Sequence, residues 1–406
     1  CLVTIHQHPV ALFIFNGNAY AQQALQGGAA YAVIDDAAFY IDERTIVVED
    51  VLQTLQALAL HHRKTFGIPF IAITGSNGKT TTKELLHAVL SSRYTTYTTK
   101  GNLNNHIGVP LTLLSIKQDA QMAIIEMGAN HQKEIESYCV IALPTYGLIT
   151  NCGKAHLEGF GSEEGIRKGK GELFDYLRAN NGTAFIMKDY DYLKDMSRDI
   201  PTVSSYGTTD ADVVGNIESV DPFLTVHFQK GFEGSIATNL VGGYNLPNVL
   251  AAVAVGQHFG VPQDKIKKAL EAYQPSNSRS QLVVKGSNKI IVDAYNANPS
   301  SMQVAVDNFA RSAEQDKVLV LGAMAELGAD SLQEHQALVD QIGQHQWKAV
   351  LLVGGDFAKL HHPYLQFNHA DEAGEWLRKT GFEKGSFLVK GSRSMQMEKV
   401  LAYINN

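Results

Sequence analysis

"AITGSNGKTTTKELL" (residues 72–86) follows an apolar run, leads into helix-forming residues and contains the Gly-Lys-Thr core of a phosphate-binding loop. The common form of that loop has a glycine five residues before its Gly-Lys pair. Ile73 occupies that position here, and the first glycine of the loop is Gly75. Although the loop is short, it lies between a buried strand and a helix, as phosphate loops do. We therefore predict a nucleotide site and not a glycine turn with a surface lysine.

The chemistry of such a loop assigns roles to its residues. Backbone N–H groups at the start of the helix would cradle phosphates. The ammonium of Lys79 would neutralise β- and γ-phosphate oxygens, and the hydroxyl of Thr80 would bind Mg²⁺. The predicted ATP-binding loop comprises Gly75, Ser76, Asn77, Gly78, Lys79, Thr80 and Thr81.

Composition excludes several classes of protein. The 406 residues are 45% hydrophobic and 18% charged, as in an ordinary globular protein, and are enough for two or three domains. A net charge of −7 argues against a nucleic-acid or polybasic membrane partner. The cysteines, Cys1, Cys139 and Cys152, have no metal-binding spacing and fit a reducing compartment. The apolar opening "CLVTIHQHPVALFIF" (1–15) is too short for a membrane helix and lacks a basic leader. We expect a cytoplasmic protein without membrane insertion.

Alternating strands and helices predict an α/β protein with a doubly wound, mostly parallel central sheet. "PFIAIT" (69–74), "MAIIEMG" (122–128) and "YGLIT" (146–150) read as buried strands, and Lys79–Leu90 as a helix. Ligands of such sheets bind at the carboxyl ends of the strands. We therefore expect the loops that follow these strands to share one site.

Smaller units flank this centre, which gives three domains: 1–68, 69–277 and 278–406. The first is a small α/β unit with strands at 30–35 and 45–50 and a helix over Val51–Phe66. The last is a second, Rossmann-like α/β domain, whose strands are "IIVDAY", "KVLVLGAM", "AVLLVGG" and "SFLVKGS".

The end of the central domain has a different pattern of apolar and polar residues. Short alternating runs at 201–240 predict a small antiparallel flap, and helices are expected at 245–259 and 262–273. The segment "QPSNSRSQ" (274–281) is a candidate linker.

Four further residues are candidate parts of the site. Glu126 ends a hydrophobic strand, where a buried carboxylate needs a cation or a donor, and is a natural Mg²⁺ ligand. His156 follows the next strand and could reach the same crevice, although a plain loop histidine is the commoner case. By residue chemistry alone, Lys168 and Lys170 read as an exposed helix face.

Together these features resemble the Mur ligase family, which uses a short TGxxGKT loop. Segments that carry the resemblance span about three quarters of the chain: "TKGNLNNHIGVPLTLL" (99–114), "IIEMGANHQKEI" (124–135), "KAHLEGFGS" (154–162), "GYNLPNVLAA" (243–252), "VDAYNANPSSM" (292–302), "GAMAELG" (322–328) and "VKGSRSMQME" (389–398).

The resemblance implies an ATP-dependent amide ligase of peptidoglycan synthesis. Within the family, "NLNNHIGVP" and "DAYNANP" favour the member that joins D-alanyl-D-alanine to UDP-N-acetylmuramoyl-tripeptide through an acyl phosphate. We expect a monomer with the first domain on the UDP-sugar. The third residue of the peptide substrate stays open between lysine and diaminopimelate.

Site residues also follow from the resemblance. Thr80 and Glu126 would hold one Mg²⁺, and His156 with Lys170 as an N-carbamate would hold a second, with Lys168 kept in reserve. ATP would meet the C-terminal domain by closure of that domain about the linker. The remaining implied contacts are Asn248, Arg279, Asp293, Tyr295 and Asn296 for ATP; Asn102, Asn104 and Asn105 for the UDP-peptide; and Lys390, Ser392 and Arg393 for the dipeptide.

The chain departs from the family pattern in two places. Many relatives have an acidic residue where this chain has Ala323, so we assign the loop 322–328 no chemical role. The stretch 12–35 resembles the uridine-binding region, but the strand that usually precedes it is not recognisable.

Two other functions remain open. A folylpolyglutamate synthetase would share the loop and fold but would not need "NLNN". A phosphate-loop ATPase switch would leave "DAYNANP" and "KGSRS" unexplained.

Overall fold

A computed structural model describes residues 16–276 and 278–404 of the chain. The strands of these residues form three sheets, of two, nine and six strands, and helices pack around them. The predicted α/β class with a mostly parallel central sheet is therefore confirmed. The opening stretch 1–15, with the predictions made for it, lies outside the described residues.

The strands in chain order are β1 Ala32–Ile34, β2 Thr45–Val47, β3 Phe70–Thr74, β4 Thr96–Thr98, β5 Met122–Glu126, β6 Tyr146–Ile149, β7 Thr183–Met187, β8 Thr202–Gly207, β9 Val213–Ser219, β10 Thr225–Lys230, β11 Ser235–Ala237, β12 Gln281–Lys285, β13 Asn288–Asp293, β14 Lys317–Gly322, β15 Ala349–Val353, β16 Leu365–Phe367 and β17 Ser386–Lys390. The α-helices are α1 Ala21–Gln26, α2 Val51–Arg63, α3 Lys79–Ser91, α4 Gly108–Leu114, α5 Glu134–Ala142, α6 Leu157–Phe160, α7 Glu163–Ala179, α8 Asp191–Met196, α9 Leu246–His258, α10 Gln263–Ala272, α11 Pro299–Arg311, α12 Ser331–Ile342 and α13 Ala370–Thr380. None of the helices in this part of the chain is long and apolar enough to cross a membrane.

Helix α2 joins the small first sheet to the central one. The side chain of Asp50 caps its start by accepting the N–H of Gln53 at 2.8 Å. Ala59 belongs to the apolar core of the central sheet, and the helix packs on α4 and α5. The helix ends at Arg63, three residues before the predicted end at Phe66.

Arg63 is buried and anchors this helix. Its guanidinium donates to the carbonyl oxygens of Ala142 at 2.7 Å, Leu143 at 2.8 Å and Phe66 at 3.0 Å. It also lies 3.6 Å from the centre of the Phe70 ring. Burial lowers the pKa of Arg63 to about 10, so the group is still cationic at neutral pH.

We expect Arg63→Ala to destabilise the protein by on the order of 3 kcal/mol, because three carbonyl groups lose their donor at a buried site. The denaturant midpoint would report the loss. The matched control is Arg44→Ala, since Arg44 lies on the surface and pairs with Asp42, two residues away. Solvent screens such an exposed pair, so its loss should leave the denaturant midpoint nearly unchanged. Equal effects of the two substitutions would contradict the anchoring role.

The central sheet has the order β11-β10-β9-β8-β7-β6-β3-β5-β4. Strands β4 to β8 and β3 are parallel, so their carboxyl ends lie along one edge. Because the chain crosses from β5 on one side of β3 to β6 on the other, a crevice opens beside the end of β3. The antiparallel flap predicted at 201–240 is only partly present, because β8 pairs parallel with β7 and β9, whereas β10 pairs antiparallel with β9 and β11. These strands extend the central sheet and are not a separate flap.

The third sheet has the order β12-β13-β17-β14-β15-β16, with antiparallel pairing only between β12 and β13. Side chains of β14 alternate between its two faces. Leu319 and Leu321 join the core that also fills the central sheet, whereas Val318 and Val320 join a second core under α13. The C-terminal domain, built on this sheet, therefore shares one continuous apolar core with the central domain.

Candidate active site

The phosphate loop links β3 to α3 and requires glycine at two places. Gly75 has a φ of 139°, and a Cβ there would lie 2.0 Å from Thr150 Oγ1. Gly78 has a φ of 81°, and a Cβ would lie 2.7 Å from Asn248 Oδ1. Only glycine meets both conditions without strain. The loop is thus pressed against the end of the neighbouring strand and the start of α9.

Residues after β6 hold the loop in shape. Asn151 Oδ1 accepts the N–H of Asn77 at 3.1 Å, and Thr150 Oγ1 donates to the Asn77 carbonyl at 2.6 Å. The hydroxyl of Ser76 donates to the carbonyl of Gly153 at 2.6 Å. These contacts preorganise the backbone N–H groups that would face phosphates.

Lys79 is the first residue of α3, and its ammonium lies over its own loop. Nζ donates to the carbonyls of Gly75 at 2.6 Å and Ser76 at 3.2 Å. Burial lowers the pKa of Lys79, the charge of Glu126 opposes that shift, and the charge of Arg279 adds to it. Because the ammonium of Lys79 is held by two carbonyl oxygens, it gives up few contacts when it binds an anion instead. Thr81, two residues further along α3, is half-buried.

Glu126, at the end of β5, presents a carboxylate that the protein satisfies only in part. Its side chain is 2% exposed, and Oε1 accepts from Thr80 Oγ1 at 3.1 Å and Asn104 Nδ2 at 2.8 Å. The other oxygen, Oε2, is buried and has no hydrogen-bond partner among the described residues. A buried anionic oxygen without a donor fits a bound cation.

This carboxylate and hydroxyl fit Mg²⁺ better than a metal that needs a protein cage. In the described ranges 16–276 and 278–404, no three His, Cys, Asp or Glu side chains come together as a metal cluster. Magnesium commonly takes one or two protein carboxylates and completes its shell with phosphates and water. Thr80 and Glu126 beside a phosphate loop have the chemistry of such a partial shell.

Lys83 is a site residue that the sequence analysis missed. It is 1% exposed, donates to the Thr99 carbonyl at 2.7 Å and lies 3.7 Å from Glu126 Oε2. It therefore neutralises part of the charge of Glu126. Its helical spacing with Leu86 and Leu90, both buried, could have revealed a lysine on the apolar stripe of α3.

Lys170 lies inside the protein, and Lys168 lies in solvent. Residue chemistry alone had placed both on an exposed helix face, which is wrong for Lys170. Its Nζ donates to the Ala129 carbonyl at 2.9 Å and lies 4.9 Å from the centre of the Phe160 ring. Burial, and secondarily the charge of Lys79, lower the pKa of Lys170 to about 7. The same apolar stripe of α7 contains Ile166 and Phe174.

His156 lies just before α6 with a φ of 55°. Its Nδ1 is in contact with Oε2 of Glu326, from the loop after β14. A hydrogen bond from His156 lowers the pKa of the Glu326 carboxyl, against the opposing effect of burial. The loop 322–328, to which the sequence assigned no chemical role, therefore meets a predicted metal ligand.

At one edge of the third sheet, a residue predicted to contact ATP meets a residue predicted to contact the dipeptide. Asp293 ends β13, Lys390 ends the neighbouring β17, and the two form an ion pair. Lys390 Nζ also lies 3.4 Å from the carbonyl of Asn296. Asp293 Oδ1 accepts the N–H of Ser280 at 3.3 Å, which ties the linker to this edge.

The guanidinium groups of two arginines, Arg279 and Arg393, lie near the ring of Tyr295. The guanidinium carbon of Arg279 lies 3.6 Å from the centre of the ring, and that of Arg393 lies at 6.0 Å. Arg393 is largely exposed and pairs with Glu398 at 2.9 Å. Arg279 is thus held near Lys79, whose pKa it influences, at the boundary of the two domains.

Some predicted contact residues have structural partners. Ser392 is buried and donates to the Ala323 carbonyl at 2.6 Å, so its hydroxyl does not cap the following turn. Asn105 accepts the N–H of Gly108 at the start of α4. Asn248 accepts from Thr82 Oγ1 at 3.0 Å and donates to Asn245 at 2.9 Å, behind the phosphate loop. Asn102 is exposed.

The C-terminal domain is docked against the phosphate loop. Asn298 Nδ2 donates to Asn77 Oδ1 at 2.7 Å, and Ser300 Oγ accepts the N–H of Lys154 at 2.8 Å. Lys154 also forms an ion pair with Glu334 at 2.7 Å. Sequence reasoning missed these contacts, which hold the start of α11 and part of α12 against the phosphate loop and the residues after β6.

Comparisons with known proteins agree with this architecture. Residues 73–256 match the Mur ligase middle domain, and residues 278–392 match the Mur ligase glutamate ligase domain. A UDP-N-acetylmuramoyl-tripeptide–D-alanyl-D-alanine ligase of Bacillus subtilis (strain 168) is 33% identical over 402 residues, covering 95% of this chain and 87% of that protein.

Two solved structures are also similar. MurF from Acinetobacter baumannii has a TM-score of 0.86 at 31% identity, covering 96% of this chain and 87% of that one. MurF ligase from Thermotoga maritima, solved in complex with ADP, has a TM-score of 0.85 at 26% identity, covering 95% and 91%.

Proposed function

The chain belongs to the Mur ligase family, and from that premise we propose that it joins D-alanyl-D-alanine to UDP-N-acetylmuramoyl-tripeptide with cleavage of ATP. It is then an ATP-dependent ligase that forms a C–N bond in peptidoglycan synthesis. The observation that carries the proposal is the half-satisfied carboxylate of Glu126 beside the phosphate loop, in a chain 33% identical to a ligase of that name over nearly its full length.

The proposed reaction begins at the phosphate loop. The carboxylate of the tripeptide attacks the γ-phosphorus of ATP, ADP leaves, and an acyl phosphate forms. The amine of D-alanyl-D-alanine then attacks the acyl carbon, phosphate leaves, and the amine loses a proton. Lys79 and the loop N–H groups would bind and orient the phosphates, and the C-terminal domain docked on the loop would exclude water from the reacting groups. No side-chain nucleophile is needed.

Thr80 and Glu126 would hold one Mg²⁺, because Glu126 Oε2 lacks a donor and Thr80 Oγ1 lies 3.1 Å from Oε1. His156 and Lys170 would hold a second. Bound Mg²⁺ supplies charge neutralisation for the transferred phosphoryl group. Lys83 balances the charge of Glu126 from the other side, 3.7 Å from Oε2.

Carbamylation of Lys170 is part of the proposal. The neutral amine adds to CO₂, which forms an N–C bond and releases one proton, and the product is an anionic carbamate. A pKa of about 7 leaves much of the amine neutral at physiological pH, and burial protects the product from water. The carbamate turns a charge that would repel Mg²⁺ into an oxygen ligand.

The dipeptide is proposed to enter along the edge of the third sheet, near Lys390 and Arg393. Asp293, Tyr295, Asn296 and Arg279 would meet ATP when the C-terminal domain is docked as the structure has it. We retain, as proposals, Ser392 as a dipeptide contact through its backbone, Asn248 near the adenine, and Asn102, Asn104 and Asn105 along the UDP-peptide. The domain limits 1–68, 69–277 and 278–406, a monomeric state and a cytoplasmic location are also proposals.

ADP release is the experiment that tests the function. With ATP, Mg²⁺ and UDP-tripeptide of either the lysine or the diaminopimelate form, release should require D-alanyl-D-alanine, because the acyl phosphate otherwise has no acceptor. The ligated peptide should be detected by mass in equal amount to ADP. Steady release without either substrate would favour an ATPase switch, and release driven by a folate and glutamate would favour a folylpolyglutamate synthetase.

A further inference from the structure

The loop after β14 brings an acidic residue of the C-terminal domain to the central domain. Glu326 has a φ of 60°, and its carbonyl accepts the N–H of Glu158, on α6, at 3.3 Å. A Cβ on Gly328 would lie 3.3 Å from the Glu158 side chain, so the backbones of the loop and of α6 are in close contact. Docking of the domain therefore determines where Glu326 lies.

The side chain of Glu326 contacts His156. The His156 side chain is 19% exposed, and its Nδ1 is in contact with Glu326 Oε2. Nδ1 is buried, and apart from this contact it has no hydrogen-bond partner among the residues that the structure describes. Both His156 and Glu326 adopt left-handed backbone angles, which non-glycine residues rarely adopt and which cluster at functional sites. The two residues thus meet at a junction that the fold maintains despite strain.

Simple stabilisation of the domain interface does not account for this pair. Half of the Glu326 side chain is exposed, and exposed ion pairs contribute little to stability because solvent screens them. A carboxylate can, however, orient a histidine without adding to stability. A carboxylate that accepts Nδ1–H selects one tautomer of a histidine and leaves the lone pair of Nε2 for a ligand.

We propose that Glu326 is a positioning residue that the docked C-terminal domain supplies to His156, holding the imidazole as its Nδ1–H tautomer so that Nε2 can bind a divalent cation. This inference rests on the proposed function for the identity of that ligand, but the Glu326–His156 contact can be tested without it. His156 is then held ready to bind a cation only when the C-terminal domain is docked on the central domain. Cation binding is thereby linked to docking of that domain.

The test uses the full chain labelled with ¹⁵N at histidine, without nucleotide, at pH 8, where an ordinary imidazole is neutral. The signals of His156 are those absent from the spectrum of His156→Gln. We expect the wild type to show the Nδ1–H form with and without Mg²⁺. Glu326→Gln keeps an acceptor and should retain that form, whereas Glu326→Ala should give a mixture of tautomers. Glu164→Gln removes one charge from the exposed start of α7 and is the matched control.

Ligation then supplies the second measurement. For Glu326→Ala we expect the Mg²⁺ concentration that gives half-maximal rate to rise, or kcat to fall, by about 10–100-fold, as for other outer-shell partners of metal ligands. Glu326→Gln should lose less, and Glu164→Gln should match the wild type. An unchanged tautomer ratio in Glu326→Ala would overturn the proposal. So would equal losses in Glu326→Ala and Glu326→Gln accompanied by scattering that shows undocked domains. A wild type with this tautomer but no ligation would instead count against the proposed function alone.

Discussion

Lys79→Ala is expected to lose ligation by on the order of 10²-fold or more in kcat, while the protein stays folded. The reason is that the ammonium lies over the phosphate loop, 2.6 Å from the carbonyl of Gly75, where the charge of the transferred phosphoryl group would develop in the proposed reaction. Removal of a charge that acts mainly on the transition state lowers kcat and kcat/KM together. Steady-state ligation with varied ATP measures both quantities.

Lys64→Ala is the control for that substitution, since Lys64 is exposed just after α2 and takes no part in the site. It removes the same charge and should leave both kinetic constants unchanged. The thermal unfolding midpoint of each variant shows whether the fold is intact. A well-folded Lys79→Ala protein that ligates at a near-normal rate would remove the basis for an ATP site at this loop.

Lys170→Ala is expected to lose most ligase activity while it still binds ATP through the intact loop. The buried lysine, as its carbamate, would supply the oxygen ligands of the second cation, and alanine supplies none. Small carboxylic acids that fill the vacated space should restore part of the rate, because they return those oxygens. Lys168→Ala is the matched control two residues away, and it should change little because Lys168 faces solvent.

The carbamate itself can be measured apart from activity. With ¹³C-labelled bicarbonate, the wild type should give a carbamate ¹³C signal that Lys170→Ala lacks and Lys168→Ala retains. Because only the neutral amine reacts and the pKa of Lys170 is about 7, the signal should increase between pH 6 and pH 8. A signal that persists in Lys170→Ala would place the carbamate elsewhere. Full activity of Lys170→Ala without added acid would contradict the second cation site.

Local patterns predicted the elements that surround the phosphate loop. The strand before the loop, the helix from Lys79 and the glycines at positions 75 and 78 are all present, because each depends on residues close together in the chain. Helical spacing also predicts the burial of two lysines that were not expected to be buried from residue chemistry. Lys83 and Lys170 lie on apolar stripes, so their burial could have been inferred from the sequence.

Register between distant segments was not predictable in this way. The short runs at 201–240 read as alternating strands, but only the pairing of β8 with β9 shows that they extend the central sheet. Likewise, Asp293 and Lys390 are 97 residues apart and meet because β13 and β17 are neighbours in register. The sequence contains both residues but not their pairing.

The sequence alone therefore determined the α/β class and the phosphate loop, since a loop, its strand and its helix are encoded within a few residues of one another. It also placed Glu126 at the end of a strand. Only the tertiary structure decided that Asn298 meets Asn77 and that Glu326 meets His156. Those contacts depend on how two separately patterned domains pack along a shared apolar core. The apolar pattern of each segment specifies that it is buried, but not which distant segment buries it.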